Sequence, residues 1–490
     1  MSPEVAGPRS GCRGEVALTA RMEPWQLALC AEPARIAGWL ERHGSPLNVI
    51  DPSPLARNAA ELAQVARAAD VELGIFFARK ANKALALVDA ALRLDLGVDV
   101  ASERELAQVL ARGAAAPRIV VTAAVKPRAL LARCVAAGVT VVVDNEDELE
   151  TLAAVVGAGV RSVPIALRLA PFPAVGRAET RFGLPAAELL AIADRHAPAG
   201  EGAPLRIDGV HFHLDGYDAA QRVSALGESL GLVDALRERG HRVQFVDMGG
   251  GIPMSYLDDG GEWRRFWDEH RAGLLGGREP LTFNGHGLGL TAHEGEIVGR
   301  PNVYPYHQEP TRGAWLGAIL GAAAPGRDAA GTIAAALRMR GLQLRCEPGR
   351  SLLDGCGLTA ARVEFRKQRR DGRWLIGVAM NRTQCRSTSD DFLVDPLLLH
   401  VDDGSRAGPR RDHPIEGYLV GAYCIERELL TWRRLRFPRG VDVGDVVVFP
   451  NTAGYLMHIL ESASHQIPLA RNLVVAPGAA ATLDRIDGGP

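Results

Sequence analysis

Short apolar runs rich in β-branched residues alternate with helical segments along roughly the first 350 residues. The helical segments begin at polar N-cap residues such as Ser102 and Asn145, and glycines follow their ends. Apolar runs separated by helices are typical of parallel strands that are covered on both faces. The pattern predicts eight strands, at 74–79, 98–100, 118–122, 139–144, 164–170, 209–214, 243–248 and 343–347.

Eight strand–helix units predict an α/β fold of the (β/α)8 TIM-barrel type, to which we assign residues 53–350. A doubly wound open sheet is the alternative. The interval between the seventh and eighth strands is longer than one connection requires, and it predicts an insertion at about 255–320. Further on, a hairpin turning at Asp371-Gly372 indicates a second, β-rich domain with a barrel-like sheet. This C-terminal domain is predicted to comprise 36–52 and 351–475.

Composition narrows the classes of function. The chain has 490 residues and a net charge of -2, so it lacks the positive charge expected of a nucleic-acid-binding protein. No apolar run reaches the ~18–20 residues of a membrane span, which argues against a membrane partner. The seven cysteines show no CxxC spacing, a pattern that favours reduced thiols and a cytoplasmic location. Residues 1–35 are predicted to be a flexible tail, with Met22 as an alternative start, and 476–490 a second tail.

Lysine is scarce, and this draws attention to one position. The only lysines are Lys80, Lys83, Lys126 and Lys367. Lys80 directly follows the first predicted barrel strand, in the sequence FFARKAN, and active sites of such barrels lie at the C-terminal ends of the strands. A single lysine in this place is usually a solvated surface residue. Here the apolar flanks should desolvate the amine and lower its pKa.

Other polar residues and glycines occur at the ends of later strands. Arg168 lies near the end of the fifth strand, His211 and His213 lie on the sixth, Gly249–Gly251 follow the seventh, and Glu347–Arg350 end the eighth. Taken singly, each has an ordinary structural explanation. Together they predict an anion-binding nest with an arginine and a carboxylate beside it. These groups and the amine suit pyridoxal phosphate.

No metal site is predicted. His286, His293 and His307 lie in the insertion, but no HExxH motif or cysteine pair accompanies them. A hydrolase with a nucleophile elbow is not predicted either, because the one GxSxG sequence, at 227–231, lies within the helical segment between the sixth and seventh strands and not directly after a strand.

Four motifs in order, FFARKAN, HFH, FVDMGGGIP and CEPGR, resemble those of the ornithine/diaminopimelate decarboxylase family. These are pyridoxal phosphate enzymes of fold type III, with an alanine-racemase-like fold. The resemblance runs from about residue 45 to 470, outside the insertion. Further matches are GVDVASERELAQVLARG, VVVDNEDELETL, TRFGL, AMN, GAYC and AGY.

The resemblance implies roles for individual residues. Lys80 resembles the catalytic lysine that binds the cofactor as a Schiff base, and His213 the histidine that stacks on its ring. Glu347 resembles the acid that pairs with the pyridine nitrogen. Cys424 resembles the catalytic cysteine that enters the neighbouring subunit's site and returns a proton to Cα, which implies a homodimer. The remaining cofactor-binding residues implied are Asp99, Arg168, Gly249, Gly250, Gly251, Gly349, Arg350 and Tyr455.

Three departures from the family pattern bear on the substrate. Leu214–Tyr217 stand where the family has a serine that contacts phosphate. Ile425, expected to be buried, replaces the acid after Cys424, and the nearby acids Glu426 and Glu428 are displaced. The third departure is the insertion, which could cover the site with His286, Tyr306, His307 and Arg312.

The predicted function is decarboxylation of an amino acid that is not one of the usual cationic substrates. Arg386, after the AMN motif, is a candidate for binding a substrate carboxylate together with Glu426 and Glu428. One alternative is an amino-acid racemase or another Cα-bond lyase on the same cofactor. The other is a catalytically silent homologue with a binding or regulatory role.

Overall fold

The structure is a computed structural model that describes residues 7–156, 162–172, 180–200, 202–326, 331–387, 392–402, 413–476 and 478–489. The N-terminal part contributes a short strand, two helices and one strand of the C-terminal sheet. These elements are β1 (Arg13–Gly14), α1 (Pro24–Cys30), α2 (Pro33–His43) and β2 (Leu47–Ile50).

The prediction of a flexible tail at 1–35 is wrong for the described part of this segment. Cys12 and Leu18 are buried in the same apolar core as the insertion and the β domain. Asp395 accepts hydrogen bonds from the Gly14 and Leu18 amides, at 2.9 and 3.2 Å. These contacts join residues far apart in sequence, so local pattern could not reveal them. Residues 1–6 lie outside the described residues.

Eight parallel strands form a closed barrel, and all eight predicted strands are confirmed. The last strand pairs with both its predecessor and the first strand, which excludes the doubly wound alternative. The strands are β3 (Leu73–Ala78), β4 (Gly97–Val100), β5 (Ile119–Val121), β6 (Thr140–Val143), β7 (Val163–Arg168), β8 (Leu205–His211), β9 (Phe245–Asp247) and β12 (Gln343–Cys346).

Helices cover the outside of the barrel. Ser102 and Asn145 cap two of them, as predicted, by accepting hydrogen bonds from the Glu105 and Glu148 amides. Among the described residues, no helix combines the length and the apolarity that a bilayer crossing requires. The helices are α3 (Pro54–Ala68), α4 (Leu85–Arg93), α5 (Glu103–Ala111), α6 (Arg128–Ala137), α7 (Glu146–Val155), α8 (Ala186–His196), α9 (Ala219–Glu238), α11 (Arg312–Gly321) and α12 (Ile333–Met339).

The insertion between β9 and β12 is shorter than the predicted 255–320, because α11 packs against α3 and α9 as part of the barrel's outer layer. It contains α10 (Gly260–Leu274) and an antiparallel hairpin of β10 (Leu290–His293) and β11 (Glu296–Gly299). Its apolar side chains, Phe266 and Tyr306 among them, are buried with Phe392 and Trp432 of the β domain. The insertion is therefore part of that domain's core.

A separate sheet follows the barrel. Its central strand β13 pairs antiparallel with β2, β14 and β18, and the hairpin turn at Gly372 (φ 84°) is confirmed. The C-terminal segment 476–490 does not behave as a tail throughout: β20 pairs with β19, and Asp484 caps the start of α4. The strands are β13 (Gly357–Gln368), β14 (Trp374–Val378), β15 (Leu397–Leu399), β16 (Ile415–Val420), β17 (Leu435–Phe437), β18 (Val446–Pro450), β19 (Arg471–Val474) and β20 (Thr482–Leu483).

Candidate active site at the barrel mouth

Lys80 follows β3 at the C-terminal end of the barrel and forms an ion pair with Asp99 of β4. The Nζ to Oδ2 distance is 2.5 Å. Thr122, directly after β5, donates from its hydroxyl to Asp99 Oδ1 at 2.5 Å and lies 3.4 Å from Lys80 Nζ. Asp99 is fully buried, whereas the Lys80 side chain is 36% exposed. The amine is thus held by a buried carboxylate and still faces open space.

The predicted direction of the Lys80 pKa shift is wrong. Burial lowers the pKa of Lys80, but the carboxylates of Asp99 and Glu347 raise it by more, so that the net pKa is above its usual value. Apolar neighbours are visible in the sequence, but the 2.5 Å approach of Asp99 is a property of the fold. The lysine by itself is therefore protonated at neutral pH.

Three titratable side chains at the C-terminal ends of β8, β9 and β12 meet near Lys80. Ligand-type atoms of His211, Asp247 and Glu347 all lie within 4.8 Å of one another, and all three residues are buried. His211 Nε2 lies 3.3 Å from Glu347 Oε1, without the geometry of a hydrogen bond. Within the described part of the chain, these two atoms, His211 Nδ1 and Asp247 Oδ2 have no hydrogen-bond partner. Buried polar atoms without a hydrogen-bond partner are energetically costly. We therefore expect these atoms to form hydrogen bonds with a group that enters from the barrel mouth.

The pKa shifts in this cluster have a common cause. Burial raises the pKa of Glu347, and Lys80 and Arg168 oppose that effect. Burial together with the charge of Glu347 holds the pKa of Asp247 well above its usual range. Burial, reinforced by Arg168, keeps the pKa of His211 well below its usual value. The three groups are kept from carrying their full charges at the same time.

The glycines after β9 form a tight backbone nest against His213. Gly249 and Gly251 have φ values of 65° and 75°, a region that side chains disfavour. A Cβ at Gly249 would come within 2.7 Å of His213 Nδ1 and 2.8 Å of the Phe212 carbonyl oxygen. The Gly250 amide donates to His213 Nδ1 at 3.1 Å. This bond orients the imidazole and leaves its Nε2 as the ring donor.

A cavity of about 300 Å³ opens beside this nest, and we call it the glycine-lined cavity. Arg350 crosses it: its Nη1 donates to the Tyr256 hydroxyl at 2.8 Å and its Nη2 to the Ser387 hydroxyl at 3.1 Å. The Tyr455 amide donates to the Ala81 carbonyl at 2.8 Å, which ties the cavity wall to the Lys80 loop. The cavity brings together five of the eleven residues predicted to bind the cofactor: His213, Gly251, Gly349, Arg350 and Tyr455.

Ser387 bears on the first departure from the family pattern. Leu214–Tyr217 also line the glycine-lined cavity, but they supply no serine there. The Ser387 hydroxyl, on a loop of the β domain, lies in the same cavity and contacts Arg350. A serine from another element thus lies in the cavity where the family's serine was expected.

Arg168, at the end of β7, is held next to the cluster. Its Nη1 lies 3.2 Å from Asp144 Oδ1, and its guanidinium stacks on the Phe182 ring at 4.1 Å. Burial lowers the pKa of Arg168, although Asp144 and Glu347 oppose that effect. Arg168 thus contacts Asp144 and Phe182 rather than a residue of the cavity wall, and its role in supporting the rim stays a prediction.

The loops of the β domain form a second cavity of about 420 Å³, which we call the arginine pocket. Arg386 and Glu426 were predicted to bind substrate, and both line this pocket rather than the glycine-lined cavity. Ile425 is 47% exposed, so the expectation that it is buried is wrong for the single chain. Cys424, next to it, is also exposed. The pocket is lined by His286, Arg382, Arg386, Ile425, Glu426, Arg427 and Trp432.

Glu428 was predicted to bind substrate, and the structure gives it a different position. It is buried, its Oε1 accepts from the Arg382 amide at 2.8 Å, and its Oε2 lies 3.5 Å from Arg382 Nε. It lines neither the glycine-lined cavity nor the arginine pocket. These contacts hold two loops together, and we withdraw Glu428 as a substrate ligand.

Most of the insertion residues expected to cover the site do not do so. Tyr306 is fully buried in the core, and Arg312 is buried in two ion pairs. His307 lines neither of the two cavities. Of the four residues, only His286 lines a cavity described above, where its ring stacks on Trp432 with centroids 3.9 Å apart.

Sequence reasoning missed Thr122, Asp247 and Ser387. Asp247 shortly precedes the glycine run in FVDMGGG, and Thr122 directly follows a barrel strand, so their places at strand ends could have signalled them. Ser387 belongs to a loop without a periodic pattern, and only the fold brings it to Arg350.

The residues present fit pyridoxal phosphate. Lys80 offers an amine at the mouth, the glycine nest and Arg350 offer donors for an anionic phosphate, and Glu347 Oε1 is buried without a hydrogen-bond partner among the described residues. A parallel eight-stranded barrel with these groups at its C-terminal end, joined to a β domain, defines a barrel enzyme of the pyridoxal phosphate class.

Comparisons with known proteins agree with that class. A family described as "Pyridoxal-dependent decarboxylase, pyridoxal binding domain" matches residues 56–266. An uncharacterized protein of Sinorhizobium fredii is 32% identical over 440 residues, 89% of this chain and 89% of that protein. Diaminopimelate decarboxylase of Pseudomonas aeruginosa is 30% identical over 419 residues, 82% of this chain and 81% of that enzyme.

A solved structure shows the same fold. Diaminopimelate decarboxylase from M. jannaschii, in complex with L-lysine, matches with a TM-score of 0.68 at 17% identity, covering 91% of this chain and 90% of that one. The chain belongs to the pyridoxal-dependent decarboxylase family. It is a carboxy-lyase that uses pyridoxal phosphate.

Proposed function

We propose that this protein removes the α-carboxylate of an amino acid that is not lysine, ornithine or diaminopimelate. The observation that carries the proposal is the Lys80–Asp99 pair, 2.5 Å apart, beside the buried Glu347 and the glycine-lined cavity. Amine, carboxylates and anion nest occur together at the barrel mouth. When bound, pyridoxal phosphate supplies an electron sink for the pair of electrons left on Cα.

Each residue around the cofactor position would have a separate role. Lys80 would hold the cofactor covalently through its Nζ, and Asp99 with Thr122 fixes the direction of that side chain. The backbone amides of the nest, with Arg350, would hold the phosphate. Glu347 would keep a proton on the ring nitrogen, because a neighbouring carboxylate favours the protonated form. His213, oriented by the Gly250 amide, would stack on the ring.

The reaction breaks one bond and forms one. The Cα–carboxylate bond breaks, its electron pair stays on the Cα side, and carbon dioxide leaves. A proton then returns to Cα, and we assign this step to Cys424, with Lys80 as the second candidate donor. The product is the amine that corresponds to the substrate.

We also propose a homodimer in which Cys424 of one subunit completes the site of the other. Cys424 is exposed in the single chain, and the apolar side chains of Ile425, Ile459 and Leu460 are between 40 and 47% exposed. Exposed apolar side chains of this kind are suited to a subunit interface. We place the enzyme in the cytoplasm and in amino-acid metabolism, and the seven cysteines, which form no disulfide bond in the structure, support this.

Lys80→Ala tests the proposed chemistry. It should abolish both the visible absorption of the covalently bound cofactor and carbon dioxide release from a panel of L- and D-amino acids. The exposed Lys367 offers a matched control, because Lys367→Ala removes the same charge far from the site. A wild-type protein that takes up no pyridoxal phosphate, or a fully active Lys80→Ala variant, would contradict the proposal.

Subunit mixing tests the shared site. Lys80→Ala and Cys424→Ala are each expected to be nearly inactive, and a mixture of the two should regain activity, because a hybrid dimer contains one site with both residues. If mixing restores nothing although hybrids form, each site is built by one chain.

A racemase remains the second candidate function, because it needs the same lysine and cofactor. Glu347 argues against it: a carboxylate that keeps the ring nitrogen protonated favours the strong electron sink that loss of carbon dioxide requires. A silent homologue is not favoured either, since Lys80, Asp99 and Glu347 form one charge network at the barrel mouth.

A further inference from the structure

Tyr217 is the last residue of the loop that departs from the family pattern, and the main chain of this loop is held by two buried side chains. Arg222 Nη2, from α9, donates to the Leu214 and Gly216 carbonyls at 3.0 and 2.8 Å. Trp315 Nε1, from α11, donates to the Tyr217 carbonyl at 2.7 Å. The loop therefore has a fixed course, and it places Tyr217 in the wall of the glycine-lined cavity.

The Tyr217 side chain is oriented by Tyr304 of the insertion. Their rings meet edge to face, with centroids 5.6 Å apart and an interplanar angle of 78°, and their hydroxyls are hydrogen-bonded to each other. Tyr304 is buried, and its hydroxyl oxygen accepts from Gln308 Nε2 at 2.7 Å. A chain of hydrogen bonds thus runs from Gln308 through Tyr304 to Tyr217, at the edge of the cavity.

The order of donors in this chain determines where the Tyr217 hydrogen can point. The Gln308 amide group can only donate, so the single hydrogen of the Tyr304 hydroxyl is available for the Tyr217 oxygen. The other acceptor near Tyr304, the Met254 carbonyl, is 3.5 Å away and already accepts from Gln308 at 3.0 Å. Tyr217 then accepts from Tyr304, and its own hydrogen is left for a group in the cavity. Burial raises the pKa of Tyr217, so this hydrogen is present at neutral pH.

Arg350 supplies positive charge at the cavity, but several of its N–H groups already have protein acceptors. Its Nη1 donates to the Tyr256 hydroxyl at 2.8 Å and to the Gly454 carbonyl at 3.0 Å, and its Nη2 donates to the Ser387 hydroxyl at 3.1 Å. The guanidinium also lies 4.0 Å from the centroid of the Tyr304 ring. Because the terminal oxygens of a phosphate accept many hydrogen bonds, a hydroxyl donor adds to what Arg350 and the glycine nest can offer.

We propose that the Tyr217 hydroxyl donates a hydrogen bond to the phosphate of pyridoxal phosphate, and that Tyr304 is its positioning residue. A tyrosine of the same loop thus takes the place of the family's serine, and the insertion helps to hold the cofactor by orienting that tyrosine. Ser387 then serves as a partner of Arg350. The proposal concerns cofactor binding alone, and it does not depend on which amino acid reacts.

Titration of the apoprotein with pyridoxal phosphate and with pyridoxal, which lacks the phosphate, isolates this contact. Tyr217→Phe should weaken binding of pyridoxal phosphate by about tenfold or more, because a hydrogen bond to a charged acceptor is lost. Its affinity for pyridoxal should equal that of the wild type. Equal weakening for the two compounds would assign Tyr217 a structural role, and unchanged affinity for both would exclude a phosphate contact. Either result would overturn the proposal.

Two further variants serve as controls. Tyr418→Phe removes the same group from a buried tyrosine of β16 that lines neither cavity, and it should leave both affinities unchanged. Ser387→Ala removes the other hydroxyl that lies beside Arg350 in the cavity. We expect its loss of affinity for pyridoxal phosphate to be smaller than that of Tyr217→Phe. The reverse order would assign the contact to Ser387 and overturn the proposal.

Tyr304→Phe tests the positioning role. It should weaken binding of pyridoxal phosphate by about threefold and leave pyridoxal binding unchanged. Combined with Tyr217→Phe it should cause no further loss, because Tyr304 acts through Tyr217. Phosphorus NMR of the bound cofactor should show a shifted phosphate resonance in both single variants and not in Tyr418→Phe. Additive losses in the double variant, or a resonance that Tyr217→Phe leaves unchanged, would overturn the proposal.

Discussion

The barrel mouth and the arginine pocket differ in the charge and the burial of the side chains that form them. At the mouth, Lys80 and Arg168 lie among the carboxylates of Asp99, Asp247 and Glu347, all at strand ends and mostly buried. The arginine pocket is formed by loops of the β domain and the insertion, it is open to solvent on one side, and its positive charge is only partly compensated. A rigid, charge-balanced set suits bond breaking, and an open cationic set suits recognition of a ligand.

This contrast predicts a division of kinetic effects. Changes at the mouth should lower kcat, because they act on the reacting atoms, whereas changes in the pocket should raise KM. The effects should also differ in size: apart from Lys80→Ala, which should abolish activity, the largest is expected at Glu347.

Glu347→Gln should lower kcat by about 10² to 10³-fold with little change in KM, because the neutral amide no longer stabilises a protonated ring nitrogen. The amide has nearly the same shape, so the cofactor should still bind. Steady-state kinetics and cofactor absorbance check this directly. A variant with wild-type kcat would show that Glu347 does not take part in the reaction. It would also contradict the proposed difference in kinetic effects between the barrel mouth and the arginine pocket.

Cys424→Ala should lower kcat by about 10²-fold, because a positioned general acid is lost. The residue lies on an exposed loop next to the arginine pocket, yet its effect should resemble that of a residue at the mouth. We would measure kcat and KM with the best amino acid of the panel. A rise in KM alone would assign Cys424 to recognition and return the proton-transfer role to Lys80.

Gly249→Ala should weaken cofactor binding by about tenfold, because a Cβ at φ 65° would press against His213 and the Phe212 carbonyl. Equilibrium titration of the apoprotein with pyridoxal phosphate measures the effect. Gly372→Ala, at a hairpin turn with φ 84° and open space around it, is a control for backbone strain alone. Equal cofactor affinity in both variants would show that the nest does not hold the phosphate.

His458 should affect acid stability and leave the kinetics almost unchanged. Burial, followed by the charge of Lys83, lowers its pKa to about 3, and its ring accepts from the Lys83 amide. Below about pH 6.5, His458 becomes protonated in the unfolded chain but stays neutral in the folded chain. The free energy of unfolding therefore decreases as the pH falls below that value. Since His458 is partly exposed, we expect a loss of about 1–2 kcal/mol between pH 7 and pH 5.

Urea denaturation of wild type and His458→Gln at both pH values measures that loss. The variant cannot titrate, so its decrease in stability on acidification should be smaller than that of the wild type. Identical pH dependence in the two proteins would show that His458 does not contribute.

The same contrast explains how much the sequence could predict. The eight barrel strands and the caps at Ser102 and Asn145 follow from periodicity and local chemistry, and the strand-end position of Lys80 follows with them. Distances between strands do not, which is why the direction of the Lys80 pKa shift was wrong. Burial of Leu18 depends on contacts with segments hundreds of residues away. The arginine pocket is assembled from three loops, and no local pattern marks it.

The most direct test of the central claim is turnover of the preferred amino acid in deuterium oxide. We predict one carbon dioxide and one amine per substrate consumed, with a single deuterium at the former Cα of the amine. Recovery of the amino acid with deuterium at Cα and inverted configuration, without carbon dioxide, would contradict the account and identify a racemase.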